Sequence, residues 1–407
     1  MSATVSTAAE QVPRRGSMDR TGLTMLATGH FVIDATVGAV PAMLPVFTAI
    51  YALSDLAASM ILGASLLVSS AIQPVFGLLA DRRPTPVFIW GGVAVAAVGL
   101  ALSGLAGGYL GVLACIVGSG LGIAAFHPEA ARVANQISGG RKATGLAWFM
   151  VGGNAGFAAG PLLAALFIPL LDAQATLVFL VPGAIVSAWL LYERGRLSVA
   201  LAAPVPHPSG GHAPVPRRQA WSVGLLLFVT SMRTWTQFCL LALVPLLLVD
   251  DRGFSDQQAG FAVVAFSGAG AVGTIAGAWL ADRVGGRRML LWSLPVVSPL
   301  IAGFLLLDGA ASIVSLGLAG FVLMASFSVT VMMAQDYLPG RLALAAGLMI
   351  GFGAIGSAPP GLALFGAIAD AAGREPAIWG IALLPLLGAA VTLLLPERGG
   401  RAAGARA

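Results

Sequence analysis

Two stretches, "GGRKATGLAWFMVGGNAGFAAGP" at 139–161 and "PGRLALAAGLMIGFGAIGSAPPG" at 339–361, resemble one another across an offset of 200 residues. Their alignment pairs Arg141 with Arg341 and Gly156 with Gly356. A second pair lies at nearly the same offset, with "GLLADRRPTP" at 77–86 and "AWLADRVGGRR" at 278–288. The chain is therefore predicted to consist of two related halves.

Both halves have the composition of a membrane protein. Hydrophobic residues make up 58% of the 407 residues and charged residues only 10%, whereas a soluble domain carries about 25% charged residues. A helix needs about 20 apolar residues to cross the bilayer, and the 53 glycines suit helices that pack closely in lipid. We predict an all-α polytopic membrane protein with twelve transmembrane helices in two pseudo-symmetric six-helix bundles. The predicted spans are 22–50, 55–80, 86–106, 109–136, 143–171, 174–193, 221–249, 256–281, 289–307, 311–338, 342–370 and 376–395.

The distribution of charge predicts how these spans are oriented. The net charge is +5, and basic residues such as Arg82, Arg141 and Arg287 lie between spans on the same side as the N-terminus. Only Arg252 and Arg374 fall on the opposite side, where the loops favour aspartate. Because positively charged loops stay in the cytoplasm, we expect both termini there. We expect the first span to be retained as an anchor. We expect the lipid bilayer as a partner of the protein, and no nucleic acid.

A Pro- and Gly-rich stretch, "LAAPVPHPSGGHAPVPRRQ" at 201–219, separates the two bundles and is typical of a linker. Two parallel six-helix halves, each with a nested inverted repeat of three helices, are typical of secondary transporters that rock about a central site. The predicted divisions are a cytoplasmic tail at 1–21, an N-terminal bundle at 22–193, a cytoplasmic linker at 194–220, a C-terminal bundle at 221–396 and a second tail at 397–407.

The loop "AWLADRVGGRR" is similar to the loop motif Gly-x-x-x-Asp-Arg-x-Gly-Arg-Arg of the major facilitator superfamily, although Ala278 replaces the first glycine and one glycine is inserted. The copy at 77–86 departs more, because it lacks the later glycine and the basic pair. The resemblance implies that these charges control a cytoplasmic gate, with the acid of the first copy meeting the positive N-terminal end of a helix that starts near Leu342. Ordinary topogenic charges are the alternative. The implied gating residues are Asp81, Arg82, Asp282, Arg283, Arg287 and Arg288.

Five further stretches narrow the resemblance to the fosmidomycin-resistance proteins, which are bacterial inner-membrane drug exporters. This resemblance implies export of a small anionic drug, such as a phosphonate antibiotic, in exchange for protons and by alternating access. Proton-coupled uptake of a small anion or sugar is the alternative, and a membrane-embedded enzyme or sensor is a third. We expect a monomer in the bacterial inner membrane. The stretches are "GHFVIDATVGAVPAMLP" (29–45), "SSAIQPVFGLLADRRP" (69–84), "GIAAFHPEAARVAN" (122–135), "GGNAGFAAGP" (152–161) and "AQDYLPGRLALAAG" (334–347).

The fifth span contains a Gly-x-x-x-Gly-Pro sequence formed by Gly156, Gly160 and Pro161. It resembles the antiporter signature of drug exporters, which implies a role in gating, whereas close helix packing through small residues is the alternative. The chain has no Gly-x-x-x-x-Gly-Lys-Ser/Thr loop and thus no sign of ATP as a driving force. We expect no cofactor, no metal and no enzymatic activity, and a proton gradient as the energy source.

Burying a titratable side chain inside a membrane span costs free energy, so each such residue is a candidate for a functional role. His30 and Asp34 are four residues apart in the first span, so they share one face of the helix. The fourth span adds His127 and Glu129, with Pro128 between them, and we expect the proline to unwind the helix there. We predict that these two histidines and two acids carry the proton. A hydrogen bond that only ties helices together is the alternative.

Glu129 has a second predicted partner in Arg132, three residues later on the same helix. An ion pair between them would open and close near the cytoplasmic gate. The alternative is that these charged side chains only pair with one another at the helix end, with their charged groups reaching the water at the membrane surface.

Arg233 lies within the seventh span and predicts an anionic substrate. Its guanidinium stays charged and presents a planar fork that suits a phosphonate or a carboxylate. A permanent salt bridge to Asp34 or to Asp336, near the cytoplasmic end of the tenth span, is the alternative. For the amides Gln73 and Asn154, hydrogen bonds that tie helices together are the alternative. The predicted substrate-binding residues are Arg233, Gln73, Asn154, Trp235 and Gln237, and Asp336 is assigned to gating.

Overall fold

The computed structural model describes residues 18–82, 85–139, 141–201, 215–338, 345 and 347–396. These residues are mostly helical and contain no strand, which confirms the predicted all-α fold. Ten helices among them are long and apolar enough to cross a membrane. One of the ten, Thr144–Tyr192, contains two predicted spans, and a shorter apolar helix at Val87–Ser103 matches a further one. Each predicted span therefore coincides with a helix in the described part of the chain.

The first half begins at Asp19, whose carboxylate accepts a hydrogen bond from the Gly22 N–H at 3.0 Å and so caps the first helix. A break at Ile72 divides the second span into two helices. A 3-10 segment at Asp172–Phe179 joins the fifth span to the sixth. The helices are α1 (Arg20–Tyr51), α2 (Asp55–Ala71), α3 (Gln73–Arg82), α4 (Val87–Ser103), α5 (Tyr109–Ile137), α6 (Lys142–Leu171), α7 (Leu180–Tyr192) and α8 (Arg194–Leu201).

The second half has the same plan. Ser255 and Gln258 form a reciprocal capping box at the start of its second span. Two π-helical segments interrupt it, one at Leu247–Asp251 and one at Gly347–Gly356. The helices are α9 (Arg217–Leu246), α10 (Asp256–Val284), α11 (Gly286–Leu306), α12 (Gly309–Ala325), α13 (Phe327–Tyr337), α14 (Ala358–Ala372) and α15 (Arg374–Thr392).

One local expectation is wrong. α5 continues through Pro128 as a regular helix, so the predicted unwinding does not occur. A proline removes one hydrogen bond from a helix, and helices in a membrane tolerate that loss when their neighbours support the backbone. The predicted linker at 194–220 also contains helical residues at both ends, in α8 and at the start of α9. Residues 202–214 of this linker, and most of the two predicted tails, lie outside the described residues.

The two central helices, α1 and α9, come one from each half. In the most apolar 18-residue window of each, 89% of the residues are buried. The halves also meet where α2 packs on α14 and α6 packs on α10. We call the end at which α1 begins the inner end, which the sequence assigns to the cytoplasm, and the opposite end the outer end. α1 and α9 therefore lie at the interface between the halves.

Glycines of α6 let this helix touch the backbone of α1. A methyl group added at Gly156 would overlap the carbonyl oxygen of Phe31, and one at Gly160 would overlap that of Ala35. α10 and α12 meet in the same way in the second half. Close approach of backbones is how helices gain van der Waals contact in lipid. The contacts favour the packing interpretation of the Gly-x-x-x-Gly-Pro sequence, and a gating role for Gly156, Gly160 and Pro161 stays a prediction.

Gly156→Ala should destabilise the protein, because its methyl group has no room against α1. We expect a loss of about 1–3 kcal/mol, typical of overpacking a tight contact. Gly118→Ala is the matched control, since a methyl group at this helical position in α5 would have nothing within 4 Å. Thermal unfolding of both purified variants in detergent measures the difference. Equal unfolding temperatures would contradict the packing interpretation.

Candidate functional site

His30, Asp34 and His127 form a cluster near the middle of the first half, which we call the His–Asp–His cluster. The His30 Nε2 lies 3.2 Å from one carboxylate oxygen of Asp34, and the His127 Nε2 lies 3.4 Å from the other. The two Nε2 atoms are 3.1 Å apart. α1 supplies two of the three residues, one turn apart on one face, and α5 supplies the third. The structure thus brings together three of the four residues predicted to carry the proton.

Backbone carbonyls determine which ring nitrogens of the two histidines hold hydrogen. The His30 Nδ1 lies 2.9 Å from the Phe149 carbonyl oxygen, and the His127 Nδ1 lies 2.9 Å from that of Ile123. A carbonyl oxygen can only accept, so each Nδ1 must donate. In a neutral ring the Nε2 is then an acceptor. Two such nitrogens facing each other and a carboxylate need at least one additional proton between them.

The surroundings of the cluster combine burial with access. The His30 ring is 2% exposed and stacks on Phe149 with their ring centroids 4.1 Å apart. The side chains of Asp34 and His127 are 23% and 22% exposed. A methyl group at Gly153 of α6 would overlap the His30 ring, so this glycine leaves the space that the ring occupies. Two members of the cluster are therefore partly exposed, while the third is enclosed.

The same three groups could hold a metal ion, since their ligand atoms lie within 4.8 Å of one another. Structural zinc sites have four protein ligands, whereas catalytic zinc sites have three and keep one position open, and this group offers three. A proton and a metal ion would compete for the same Nε2 lone pairs. A proton shared among these acceptors satisfies the observed hydrogen-bonding distances without a further group, and the proton-carrying role of the cluster stays a prediction.

Glu129 lies apart from this cluster, in an ion pair with Arg132. Its carboxylate accepts hydrogen bonds from the arginine Nε at 2.9 Å and Nη2 at 2.8 Å. It also accepts a hydrogen bond at 2.9 Å from the backbone N–H of Thr85. Thr85 lies in the connection between α3 and α4. The carboxylate is fully buried. The predicted ion pair is present, and Glu129 is better placed to hold this inner connection than to share a proton with His127.

Arg233 is a buried cation near the middle of α9. The side chain is 1% exposed, and its hydrogen bonds run to Gln237 Oε1 at 3.2 Å and Thr234 Oγ1 at 3.1 Å. The guanidinium lies 5.1 Å from the ring centroid of Phe327 and contacts the Met324 sulfur. Its Nε has no hydrogen-bond partner within the described part of the chain.

No carboxylate of the described residues forms a salt bridge with Arg233. The alternative of a permanent ion pair predicted Asp34 or Asp336 as the partner. Asp34 instead faces the two histidines, and Asp336 is exposed at the inner end. A cation without a counter-ion in an enclosed site is costly. Arg233 is therefore suited to receive an anion.

The other predicted substrate residues have mixed placements. Gln237 bonds Arg233 directly, whereas the Trp235 indole N–H donates to the Ser357 carbonyl oxygen at 2.6 Å and so ties α9 to the start of α14. Gln73 is half-buried at the start of α3, and Asn154 is exposed on α6. Among the described residues, no hydrogen bond joins either amide to Arg233. Their role in binding substrate stays a prediction.

The loop motifs can be placed only in the second half. Arg287 donates to the carbonyl oxygens of Thr392 and Leu393, which joins α11 to the end of α15. Arg283 lies over the Trp279 ring at 3.3 Å from its centroid. Asp282 and Arg288 are exposed at the inner end. The side chains of Asp81 and Arg82 and the segment around Leu342 lie outside the described residues, so the predicted contact between them is untested.

Sequence reasoning missed a group of charges at the outer end. Arg374 there contacts the carboxylates of Asp55, Asp250 and Asp251, and Asp370 bonds the start of α2. The signal for this group was present in the charge pattern. Arg374 is one of two arginines on a side whose loops are otherwise acidic, and an isolated cation among acids predicts an ion pair.

Glu129→Gln should lower stability, because the amide cannot replace a buried carboxylate that pairs with Arg132. Removing one charge of a buried pair typically costs about 3–5 kcal/mol. The half-buried Glu193 provides a matched substitution, Glu193→Gln, at the inner end of α7, for which we expect little change. Thermal unfolding in detergent measures both. A Glu129→Gln protein as stable as the parent would show that the ion pair is not structural.

Comparison with known proteins agrees with this architecture. A profile of the Major Facilitator Superfamily matches residues 26–361 and 226–406. The chain is 32% identical over 384 residues to the uncharacterized MFS-type transporter YfnC of Bacillus subtilis (strain 168), covering 92% of each protein. It is 31% identical over 388 residues to the fosmidomycin resistance protein of Escherichia coli (strain K12), covering 91% of this chain and 92% of that one.

Solved structures of transporters share the fold. A bacterial homolog of the human lysosomal transporter Spinster, in an inward-facing and occupied conformation, superposes with a TM-score of 0.70 at 18% identity, covering 92% of this chain and 95% of that chain. A mutant of the nucleoside transporter NupG superposes with a TM-score of 0.74 at 13% identity, covering 92% of this chain and all of that chain. The family profile matches most of the chain and two relatives share 31–32% identity along nearly its whole length, so the chain belongs to the Major Facilitator Superfamily.

Proposed function

We propose that this transporter exports a small anionic compound, such as a phosphonate antibiotic, in exchange for protons and by alternating access. In this proposal it lies in the bacterial inner membrane as a monomer with both termini in the cytoplasm. The likeness to a fosmidomycin resistance protein along nearly the whole chain supports the substrate class. The proton gradient is the energy source.

The observation that carries the proposal is the buried guanidinium of Arg233. Its Nε lacks a partner among the residues that the structure describes, and its other bonds to them go to neutral oxygens and a sulfur. A phosphonate would supply both the missing charge and the missing acceptors, because two of its oxygens can receive parallel N–H bonds from one guanidinium. The Phe327 ring and Met324 give the same site an apolar wall suited to a small organic substituent.

The His–Asp–His cluster supplies the proton side of the exchange. It lies on α1 and α5 of the first half, whereas Arg233 lies on α9 of the second half. An anion and a proton attract each other, so direct electrostatics alone would favour their binding together. Exchange requires instead that each binds preferentially to a different arrangement of the halves, a requirement that rocking of α1 against α9 can meet.

Substitutions of Arg233 test the anion site. Arg233→Lys keeps the charge but loses the planar fork, so we expect binding of a phosphonate to weaken by roughly 1–3 kcal/mol. Arg233→Ala should abolish resistance to fosmidomycin. The exposed Arg218, at the inner start of the same helix, provides the control Arg218→Ala, which should retain resistance. The measurement is growth of a drug-sensitive host expressing each variant, with membrane levels compared.

A permanently cationic dye in the same assay tests the charge preference. Because the buried guanidinium repels cations, we expect no protection against a quaternary ammonium compound from the parent protein. Protection against the dye, or full fosmidomycin resistance in the Arg233→Ala strain, would reject Arg233 as an anion site.

Asp34→Asn should abolish transport driven by a pH gradient, because an amide cannot gain and lose the proton. In everted vesicles, the parent should accumulate phosphonate when the interior is acidified. The variant should still exchange labelled for unlabelled drug at equal pH, since that exchange needs no net proton movement. Asp308→Asn, at an exposed outer position, is the matched control and should behave as the parent.

The vesicle experiment also distinguishes export of the substrate from its uptake. Export in exchange for protons appears as accumulation in acidified everted vesicles. Uptake with protons would appear as the reverse, with accumulation only when the outside of the vesicle is acidic. Normal acid-driven accumulation by the Asp34→Asn variant would reject the assignment of this carboxylate to proton coupling.

A further inference from the structure

Asp370, near the outer end of α14, reaches across to the other half. Its two carboxylate oxygens accept hydrogen bonds from the backbone N–H groups of Asp55 at 2.6 Å and Leu56 at 3.2 Å. The next N–H, that of Ala57, donates to the Ser54 hydroxyl within the first half. The first N–H groups of a helix lack partners in the helix and carry partial positive charge. Two of these groups in α2 therefore take their partner from the second half.

Arg374, the first residue of α15, adds a second contact between the outer ends of the two halves. Its Nε lies 2.8 Å from Asp55 Oδ1 in the first half. Its Nη2 and Nη1 lie 2.7 Å from Asp250 Oδ2 and 3.0 Å from Asp251 Oδ2, both in the second half. The Arg374 and Asp55 side chains are only 15% and 9% exposed. Water screens such a sheltered pair less than a surface pair, so its rupture costs more.

The inner end of the same pair of helices has a predicted counterpart. There, the sequence motif places Asp81, at the end of α3 in the second span, against the start of the eleventh span. At the outer end the two spans exchange these roles. There the acid, Asp370, belongs to the eleventh span, and the helix start that it contacts, that of α2, belongs to the second span. A transporter that rocks must break the contacts at one end when it forms those at the other.

We propose that Asp370, Arg374 and Asp55 form a latch that holds the outer ends of the two halves together and must open before the central site faces outward. This proposal rests on the alternating access of the proposed function. The latch residues bind neither substrate nor proton in this account. They determine instead how often the outer side is open.

The accessibility of Ser59 provides a direct test. Ser59 lies one turn inside Asp55 on α2, is 1% exposed, and faces Gly366 of α14, where an added methyl group would lie 3.1 Å from its hydroxyl. Opening the latch should uncover it. The probe is Ser59→Cys in a chain whose two natural cysteines are replaced by serine, labelled from outside by a membrane-impermeant thiol reagent on intact cells.

We expect slow labelling with an intact latch. Asp370→Asn and Arg374→Gln should each raise the labelling rate about tenfold, because each removes a charge-assisted contact that favours the closed state. Arg374→Lys keeps the charge without the fork and should give an intermediate rate. It also keeps the test informative if a stronger change reduces the amount of protein in the membrane.

Arg252 supplies the matched control. It is the other outer arginine, and it bonds the carbonyl oxygens of Phe304 and Leu305 and the hydroxyl of Ser312, all within the second half. Arg252→Gln should leave the labelling rate at the parent value. Equal rates in all the variants would overturn the latch, and so would an equal increase in the Arg252→Gln control.

The labelling needs neither substrate nor proton gradient, so it is separate from the test of export. Unchanged labelling in the latch variants with intact fosmidomycin resistance rejects the latch alone. Faster labelling in those variants, together with no fosmidomycin resistance in the parent, supports the latch and rejects the proposed export.

Discussion

Charged side chains inside a membrane protein lose the water that stabilises them, and the protein must replace that water with partners. The structure does this differently at each buried charge. Glu129 is fully paired with Arg132. Asp34 faces two histidines whose Nε2 atoms can share protons with it. Arg233 alone of these is enclosed without a carboxylate among the described residues, and this incomplete solvation makes it the point to which an anion would bind.

The helix packing makes that arrangement possible. Glycines of α6 bring its backbone against α1 beside His30 and Asp34, and Gly153 leaves room for the His30 ring. α9 presents Arg233 from the opposite half. The two sites thus belong to different bundles. In the proposed alternating access, a rocking motion would change their relation to one another while the contacts within each bundle stay intact, which is what an exchange of ligands between two states requires.

The sequence predicted the fold well, because apolar spans, topogenic arginines and the repeat between 139–161 and 339–361 are all local or periodic signals. It also predicted the His–Asp pair, since residues four apart on a helix must share a face. It did not predict that Glu129 would leave the cluster, nor the contacts of Asp370 and Arg374. Those contacts depend on the distances between the ends of helices that are far apart in the sequence. A pattern along the sequence does not contain these distances. The regular course of α5 through Pro128 depends on its neighbours in the same way.

Anion binding at Arg233 is the interaction on which the proposed transport depends most directly. A cryo-electron microscopy structure of the purified transporter with fosmidomycin would show this. We predict the phosphonate oxygens at about 2.7–2.9 Å from the Arg233 guanidinium, the distance of charge-assisted hydrogen bonds, with the Nε now bonded. A phosphonate bound elsewhere in the interface, with the Arg233 side chain in its present contacts with Gln237, Thr234 and Phe327, would contradict the account.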